Sequence, residues 1–188
     1  GKSTLIARLR REFPELGFAV SHTTRPPRPG EQDGREYHFV SAARFDAMVR
    51  AGRFAEWAVV HGQRYGTSGK EIRERTSRGR TVLLDVDVQG ARAIRRRFPE
   101  AVAVFIVPPT LAALKQRLRR RQRRLDDEAR RRLAAALGEL RAWRDYDYIV
   151  VNDKLEAALA ELRCLVTAFR LRAGRSGARV KRLLRRTT

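Results

Sequence analysis

The residues best equipped for chemistry in this 188-residue chain lie between Ser21 and Val40, in the stretch SHTTRPPRPGEQDGREYHFV. Arg25 and Arg28 stand three apart across Pro26-Pro27, which holds the backbone extended, so both guanidinium forks are set to converge on one anion. A phosphate is the natural guest, because arginine meets it with paired, charge-assisted hydrogen bonds. Turns at Pro29-Gly30 and Asp33-Gly34 bring the chain back through Tyr37-His38-Phe39-Val40, whose strand-like alternation offers the Tyr37 hydroxyl to the same anion, while a strand ending near Val20 delivers Ser21 to it. A solvated basic loop before a hairpin would use the same residue types, and this stretch alone does not separate the two readings.

Three other places carry candidate chemistry. Gly1-Lys2-Ser3-Thr4 runs into the helical pattern Leu5, Ile6, Leu9, Phe13, as the closing half of a phosphate-binding loop runs into its helix. There the helix N-terminus faces phosphates, the lysine reaches the β and γ oxygens, and the hydroxyl of Ser3 holds Mg²⁺. The run Thr81 to Val86 reads as a strand in the middle of a parallel sheet, with Asp85 and Asp87 on one face at its end. Carboxylates there suit a metal-bound triphosphate, and capping of the next helix, 89–97, is the other reading. Glu56 interrupts the apolar strand FAEWAVV, where burial is costly unless donors meet it; a half-exposed strand with Glu56 in water is the alternative.

The series Thr23-Thr24-Arg25, Arg28, Glu31, Gly34, Tyr37, Phe39, Val40 resembles, with matching spacing, the signature of the guanylate kinases. The resemblance continues through YGTS at 65–68, LLDVDVQG at 83–90, FIVPP at 105–109 and YIVVND at 148–153, and so covers nearly the whole chain. It implies transfer of the γ-phosphoryl group of Mg-ATP to GMP, with no covalent intermediate. By resemblance, Arg25, Arg28, Tyr37 and Tyr65 belong to the GMP phosphate, and Ser21, Glu56, Thr67 and Asp87 to the acceptor site around the base. Gly1, Lys2, Ser3, Thr4 and Asn152 belong to ATP, with Asn152 near the adenine. Asp85 and Ser3 belong to Mg²⁺, and Arg121 and Arg132 to a lid that neutralises charge as the phosphoryl group moves. Capping of the last helix explains Asn152-Asp153 equally well. Arg120 and Gln122 replace the glycines that flank the first lid arginine in relatives, which stiffens that hinge. The first strand and the glycine-rich half of the loop precede this point in the family, so the chain is expected to be an N-terminal truncation with little turnover as written.

The elements that must hold these residues follow from periodicity. Strands alternating with helices predict an α/β domain of three layers with a parallel sheet, and the resemblance implies that it is a P-loop kinase core carrying a small strand-rich GMP-binding module and a helical lid. The expected division is a core of 1–20, 69–110 and 144–172, a module of 21–68, a lid of 111–143 and a basic tail of 173–188. Strands are expected at Phe18 to Val20, Phe54 to Val60, Ala101 to Val107 and Tyr148 to Val151. A helix from Asp126 to Trp143 would bury Leu133, Ala136, Leu137 and Leu140, and a last helix from Leu155 to Phe169 would take Cys164 into its apolar face.

Composition bounds the rest. A 43% hydrophobic content suits one domain with a proper core, and one cysteine supports neither an internal disulfide nor a metal cluster. No apolar run is long enough to span a bilayer and no targeting segment is visible, so the default compartment is the cytoplasm. His38 and His61 have no carboxylate or cysteine at ligand spacing, and His22 is expected at the edge of the site without acting in it. The net charge of +21 invites polyanions, yet no aromatic platform or nucleic-acid module accompanies it, which leaves nucleic-acid binding weak and non-specific. Two rivals stand beside the enzyme: a non-catalytic guanylate-kinase-like module that binds phosphopeptides, and a basic nucleic-acid-binding protein. Oligomeric state is not legible.

Overall fold

The computed structural model describes residues 2–60, 62–121, 127–174, 177, 182 and 184, of which 118–121 and 127–132 are described by backbone alone. Its elements begin with α1 (Lys2–Glu12), β1 (Gly17–Phe18), β2 (His22–Thr23), β3 (His38–Phe39), α2 (Ala42–Arg50), β4 (Phe54–Val60), β5 (Gln63–Ser68) and α3 (Gly69–Ser77). They continue with β6 (Val82–Leu83), α4 (Val88–Arg97), β7 (Val104–Val107), α5 (Leu111–Arg121), α6 (Asp127–Leu140), a 3-10 turn (Arg141–Asp145), β8 (Tyr148–Val151) and α7 (Leu155–Leu171).

Two parallel strand pairs, β1 with β6 and β7 with β8, form the α/β core. Burial of apolar side chains drives the helices onto them. From α1, Leu5 and Leu9 meet Leu159 and Leu162 of α7 and Val150 of β8, all nearly or wholly inaccessible. On the other side Ile72 of α3 and Ile94 of α4 close over Ala19 and Ala55. Ion pairs reinforce the α1–α7 contact, Arg163 to Glu12 at 2.5 Å and Arg8 to Glu156 at 3.1 Å. Between the two strand pairs lies an apolar cleft of about 250 Å³, lined by Leu83, Val104, Ile106 and Leu162 and reaching Lys2 and Asp85.

A separate four-stranded sheet, in the order β3-β2-β5-β4, is built from residues 22–68. Its two faces differ in chemistry because strand side chains alternate. One face packs on α2: Phe54 of β4 lies tilted at 4.6 Å from Phe45 of α2, and His22 lies 4.6 Å from His38 and 5.6 Å from Phe54. The other carries Thr23, Tyr65, Thr67 and Glu56. A bulge between Phe54 and Glu56 shifts the alternation, so Phe54, Ala55 and Glu56 are all buried before Trp57 turns outward. That irregularity sets Glu56 directly opposite Thr67.

α4 is tied at its far end to the segment leading into β8. Arg92 pairs with Asp145 at 2.6 Å and Arg95 with Asp147 at 3.1 Å, while Asp147 also accepts the Ala103 N–H at 2.8 Å. Helix starts at α2 and α3 follow the expected chemistry, with Ser41 and Ser68 accepting hydrogen bonds from Arg44 N and Glu71 N.

Several sequence expectations are corrected. The β-branched run at Thr81 to Val86 pairs only at Val82 and Leu83, so Asp85 and Asp87 lie beyond the strand and diverge. The strands expected at 18–20 and 101–107 shorten to Gly17–Phe18 and Val104–Val107. Helix α6 stops at Leu140 and tightens into the 3-10 turn, and Leu137 is 40% exposed rather than buried. Cys164 is exposed. Its position, about 200° around the helix from Leu162, lies off the apolar stripe. Lys154, not Asn152 or Asp153, is the N-cap of α7, and it makes no side-chain cap bond, which removes capping as the account of the Asn-Asp pair.

Candidate active site

The site begins with a buried polar trio on the sheet face opposite His22 and Phe54. Thr67 on β5 is wholly inaccessible and donates its hydroxyl to Glu56 Oε1; Ser21, just before β2, shares a hydrogen bond with Thr67 at 3.0 Å. Burial pushes the Glu56 carboxyl above its ordinary pKa, the Thr67 hydrogen bonds pull it back, and the nearby Asp87 carboxylate pushes it up again. The Thr67 hydroxyl and backbone N–H are a thin supply of donors for a buried carboxylate, which leaves acceptor capacity for a guest. Asp87 is the N-cap of α4, accepting the Gly90 N–H at 2.8 Å through one of its two oxygens.

An anion-seeking cluster stands on the same sheet face. Arg25 follows β2, and its N–H is fixed by the Thr23 hydroxyl at 3.1 Å. Its guanidinium bonds both oxygens of Glu31 at 2.9 Å and lies 5.4 Å over the Tyr37 ring and 5.8 Å over Phe39. Tyr37 in turn meets Tyr65 edge to face at 5.7 Å. Burial works against ionisation of Glu31, but the Arg28 backbone N–H at 2.7 Å and the Arg25 charge hold its carboxyl below the ordinary value. The side chain of Arg28 is exposed; besides its backbone N–H, its charge also helps hold the Glu31 carboxyl down.

At the start of α1, Lys2 Nζ lies 2.5 Å from Asp85 Oδ1 and 3.3 Å from the Val86 carbonyl. Ser3 and Thr4 are exposed in the same first turn, where free N–H groups attract phosphate. The donors near Lys2 are all oxygen, the Ser3 hydroxyl and the Asp85 carboxylate. Among the described residues no group of three or more His, Cys, Asp or Glu gathers as a cage. That donor set fits Mg²⁺, a hard cation that keeps waters and takes much of its shell from phosphate oxygens. Asn152 is buried after β8, and its carbonyl accepts from Arg117 of α5 at 2.8 Å.

A family model described as guanylate kinase matches residues 1–169. The chain belongs to the guanylate kinase family. It is similar to the guanylate kinase of Aromatoleum aromaticum, 48% identical over 172 residues, covering 92% of this chain and 84% of that one. It is also similar to the guanylate kinase of Dechloromonas aromatica, 46% identical over 186 residues, covering 99% and 92%. Among solved structures, the guanylate kinase from Anaplasma phagocytophilum superposes with a TM-score of 0.78 at 29% identity, covering 92% of this chain and 84% of that one. The guanylate kinase fold is thereby established for this chain, as is its standing as an enzyme of the kinase class.

Within that family frame, the structure brings Ser21, Glu56, Thr67 and Asp87 into one group, and Arg25, Tyr37 and Tyr65 into another. Lys2 and Asp85 form a third. Gly1 lies outside the described residues; Arg121 closes α5 and Arg132 stands in α6, and the side chains of both lie outside the described residues. Sequence reasoning left Glu31 and Gly90 without a role. Glu31 stands in the signature series, and its partner Arg25, six residues away across a loop, is set by the fold rather than by spacing. Gly90 carried a signal, since a glycine inside a helix needs a packing reason.

Proposed function

We propose that this chain transfers the γ-phosphoryl group of ATP to the α-phosphate of GMP, giving ADP and GDP. Family membership supports the reaction class. One observation supports the acceptor: on one face of β5, two residues apart, Tyr65 joins the arginine and aromatic cluster while Thr67 meets the buried Glu56 carboxylate. A nucleotide has two matching ends, a phosphate for the first and a base edge for the second. The guanine edge offers two donors, the ring N1–H and the exocyclic amine, to a carboxylate; the adenine edge puts an acceptor at N1.

In this reading Arg25, Arg28, Tyr37 and Tyr65 hold the GMP phosphate, and Ser21, Glu56, Thr67 and Asp87 surround the base. The first turn of α1, from Gly1 to Thr4, receives the ATP phosphates and Asn152 the adenine side. Ser3 and Asp85 would hold Mg²⁺, which neutralises charge on the triphosphate. An oxygen of the GMP phosphate attacks the γ-phosphorus, the bond to the β-phosphate oxygen breaks, and ADP leaves. The acceptor is already anionic, so no strong general base is required. Lys2, Arg25, Arg121 and Arg132 act by alignment and charge. Residues 21–68 serve as the acceptor module and 111–143 as the lid. A cytoplasmic location, where both nucleotides occur, belongs to the same reading. Among the described residues no helix is long and apolar enough to cross a membrane. A phosphopeptide-binding module would have no use for the Lys2–Asp85 pair.

The test is ADP release with GMP, AMP or UMP as acceptor, for the parent and for Glu56→Gln. We expect turnover with GMP alone, and a loss of about a hundredfold or more in kcat/KM for the variant, since a charged acceptor of two hydrogen bonds is removed. Turnover with AMP equal to that with GMP, or a Glu56→Gln variant as active as the parent, refutes the reading.

A further inference from the structure

Gly90 lies in the first turn of α4, on a backbone any residue could adopt, and glycine is the poorest helix former after proline. Its presence therefore answers to space. A Cβ built there would lie 2.7 Å from Glu56 Oε2 and 3.2 Å from Glu56 Cδ, with Val86 Cβ at 3.0 Å on the other side. The Glu56 carboxylate thus rests against the bare backbone of the helix's first turn, where N–H groups and the helix dipole favour an anion. The same residue's N–H holds Asp87 Oδ1 at 2.8 Å.

We propose that Gly90 is a positioning and specificity-determining residue: its missing side chain seats Glu56 and its N–H orients Asp87, so one position fixes both carboxylates on the base side of the acceptor site. This rests on the GMP reading above. A methyl group at 90 meets a carboxylate that has little room to retreat, because Oε1 is held by Thr67 and the β-bulge fixes the Glu56 backbone. The helix itself gains from the change. Gly90→Ala separates recognition from folding for that reason.

The experiment measures kcat/KM for GMP and for inosine monophosphate, which lacks the 2-amino group, in the parent, Gly90→Ala, Glu56→Ala and the double variant, with thermal unfolding of all four. We expect Gly90→Ala to lower kcat/KM for GMP about tenfold or more and to shrink the preference for GMP over inosine monophosphate. In the Glu56→Ala background, which removes the contact with the carboxylate and leaves only the 3.0 Å approach to Val86 Cβ, the same change has no further effect on the preference between the two substrates and a smaller effect on unfolding than in the parent. A Gly90→Ala enzyme with the parent's preference, or one with an equal loss in the Glu56→Ala background, overturns the proposal. If Gly90→Ala does not fold, the double variant is repeated with Val86→Ala, which clears the other close contact: recovery that needs Glu56→Ala supports the seat, and recovery from Val86→Ala alone overturns it. A parent that does not prefer GMP would instead sink the guanine reading, while the unfolding data still decide whether Gly90 and Glu56 are coupled.

Discussion

Acid should weaken this protein through His22, and by a calculable amount. The ring stands on the α2 face of the four-stranded sheet, against His38 of β3 and Phe54 of β4, and its Nδ1 is buried without a hydrogen-bond partner. Burial lowers its pKa from 6.5 to about 4, helped by the charges of His38 and of Arg44 on α2; Asp33 and a backbone hydrogen bond with Gly66 oppose the fall. Between these two values the unfolded chain takes up a proton that the folded chain refuses. The contribution is therefore fully present above pH 6.5 and is lost as the pH falls to about 4. At about 1.4 kcal/mol per decade the ceiling is about 3.4 kcal/mol; the ring is only part-buried, and solvent screening reduces this to about 1–2 kcal/mol. The perturbation is His22→Phe, which keeps an aromatic ring and cannot titrate. Urea unfolding at pH 7.5 and pH 4.5 should show the parent losing about 1–2 kcal/mol more than the variant. Parallel losses in the two proteins would refute the assignment of the acid sensitivity to this ring.

Two further outcomes are expected. Glu31→Gln removes the charge that clasps Arg25, so KM for GMP should rise about tenfold while KM for ATP stays at the parent value. Equal changes for both substrates in steady-state kinetics would point to a general loss of structure instead. Asp147→Ala removes an ion pair to Arg95 and the acceptor for Ala103 N–H. It should cost about 1–2 kcal/mol, read as a lower urea midpoint, and an unchanged midpoint would show that the anchor of α4 is dispensable.

What could be read from residues alone was whatever depends on neighbours in sequence. The strand FAEWAVV is β4 at its expected bounds, and Ser41 caps α2 because a hydroxyl before an apolar helical pattern satisfies its first free N–H groups. What depends on distant partners was not legible. The Thr81 to Val86 run looks like a central strand by side chain, yet pairing depends on which strands flank it, and only Val82 and Leu83 find β1. Asp85 and Asp87 then part company, one to Lys2 and the other to the α4 cap, although alternation along a strand would have kept them together. Cys164 is exposed although Leu162 and Leu165 flank it, because adjacency in sequence is not adjacency on a helix. Glu31 and Gly90 acquire meaning only when a loop folds back on Arg25 and when β4 passes over the start of α4.

The ion pairs that join α1 to α7 and α4 to Asp145 and Asp147 use up scarce carboxylates. With 42 basic residues and 21 acidic ones, the cations cannot be matched one to one. Added electrolyte therefore acts on two opposed quantities: it loosens contacts that are already touching only a little, and it quiets the mutual repulsion of surplus arginines over about 10 Å at 0.1 M. With a net charge of +21 the second is expected to dominate, so the urea midpoint should rise from dilute buffer to moderate salt and further with multivalent anions, and a midpoint that only falls with salt would refute this.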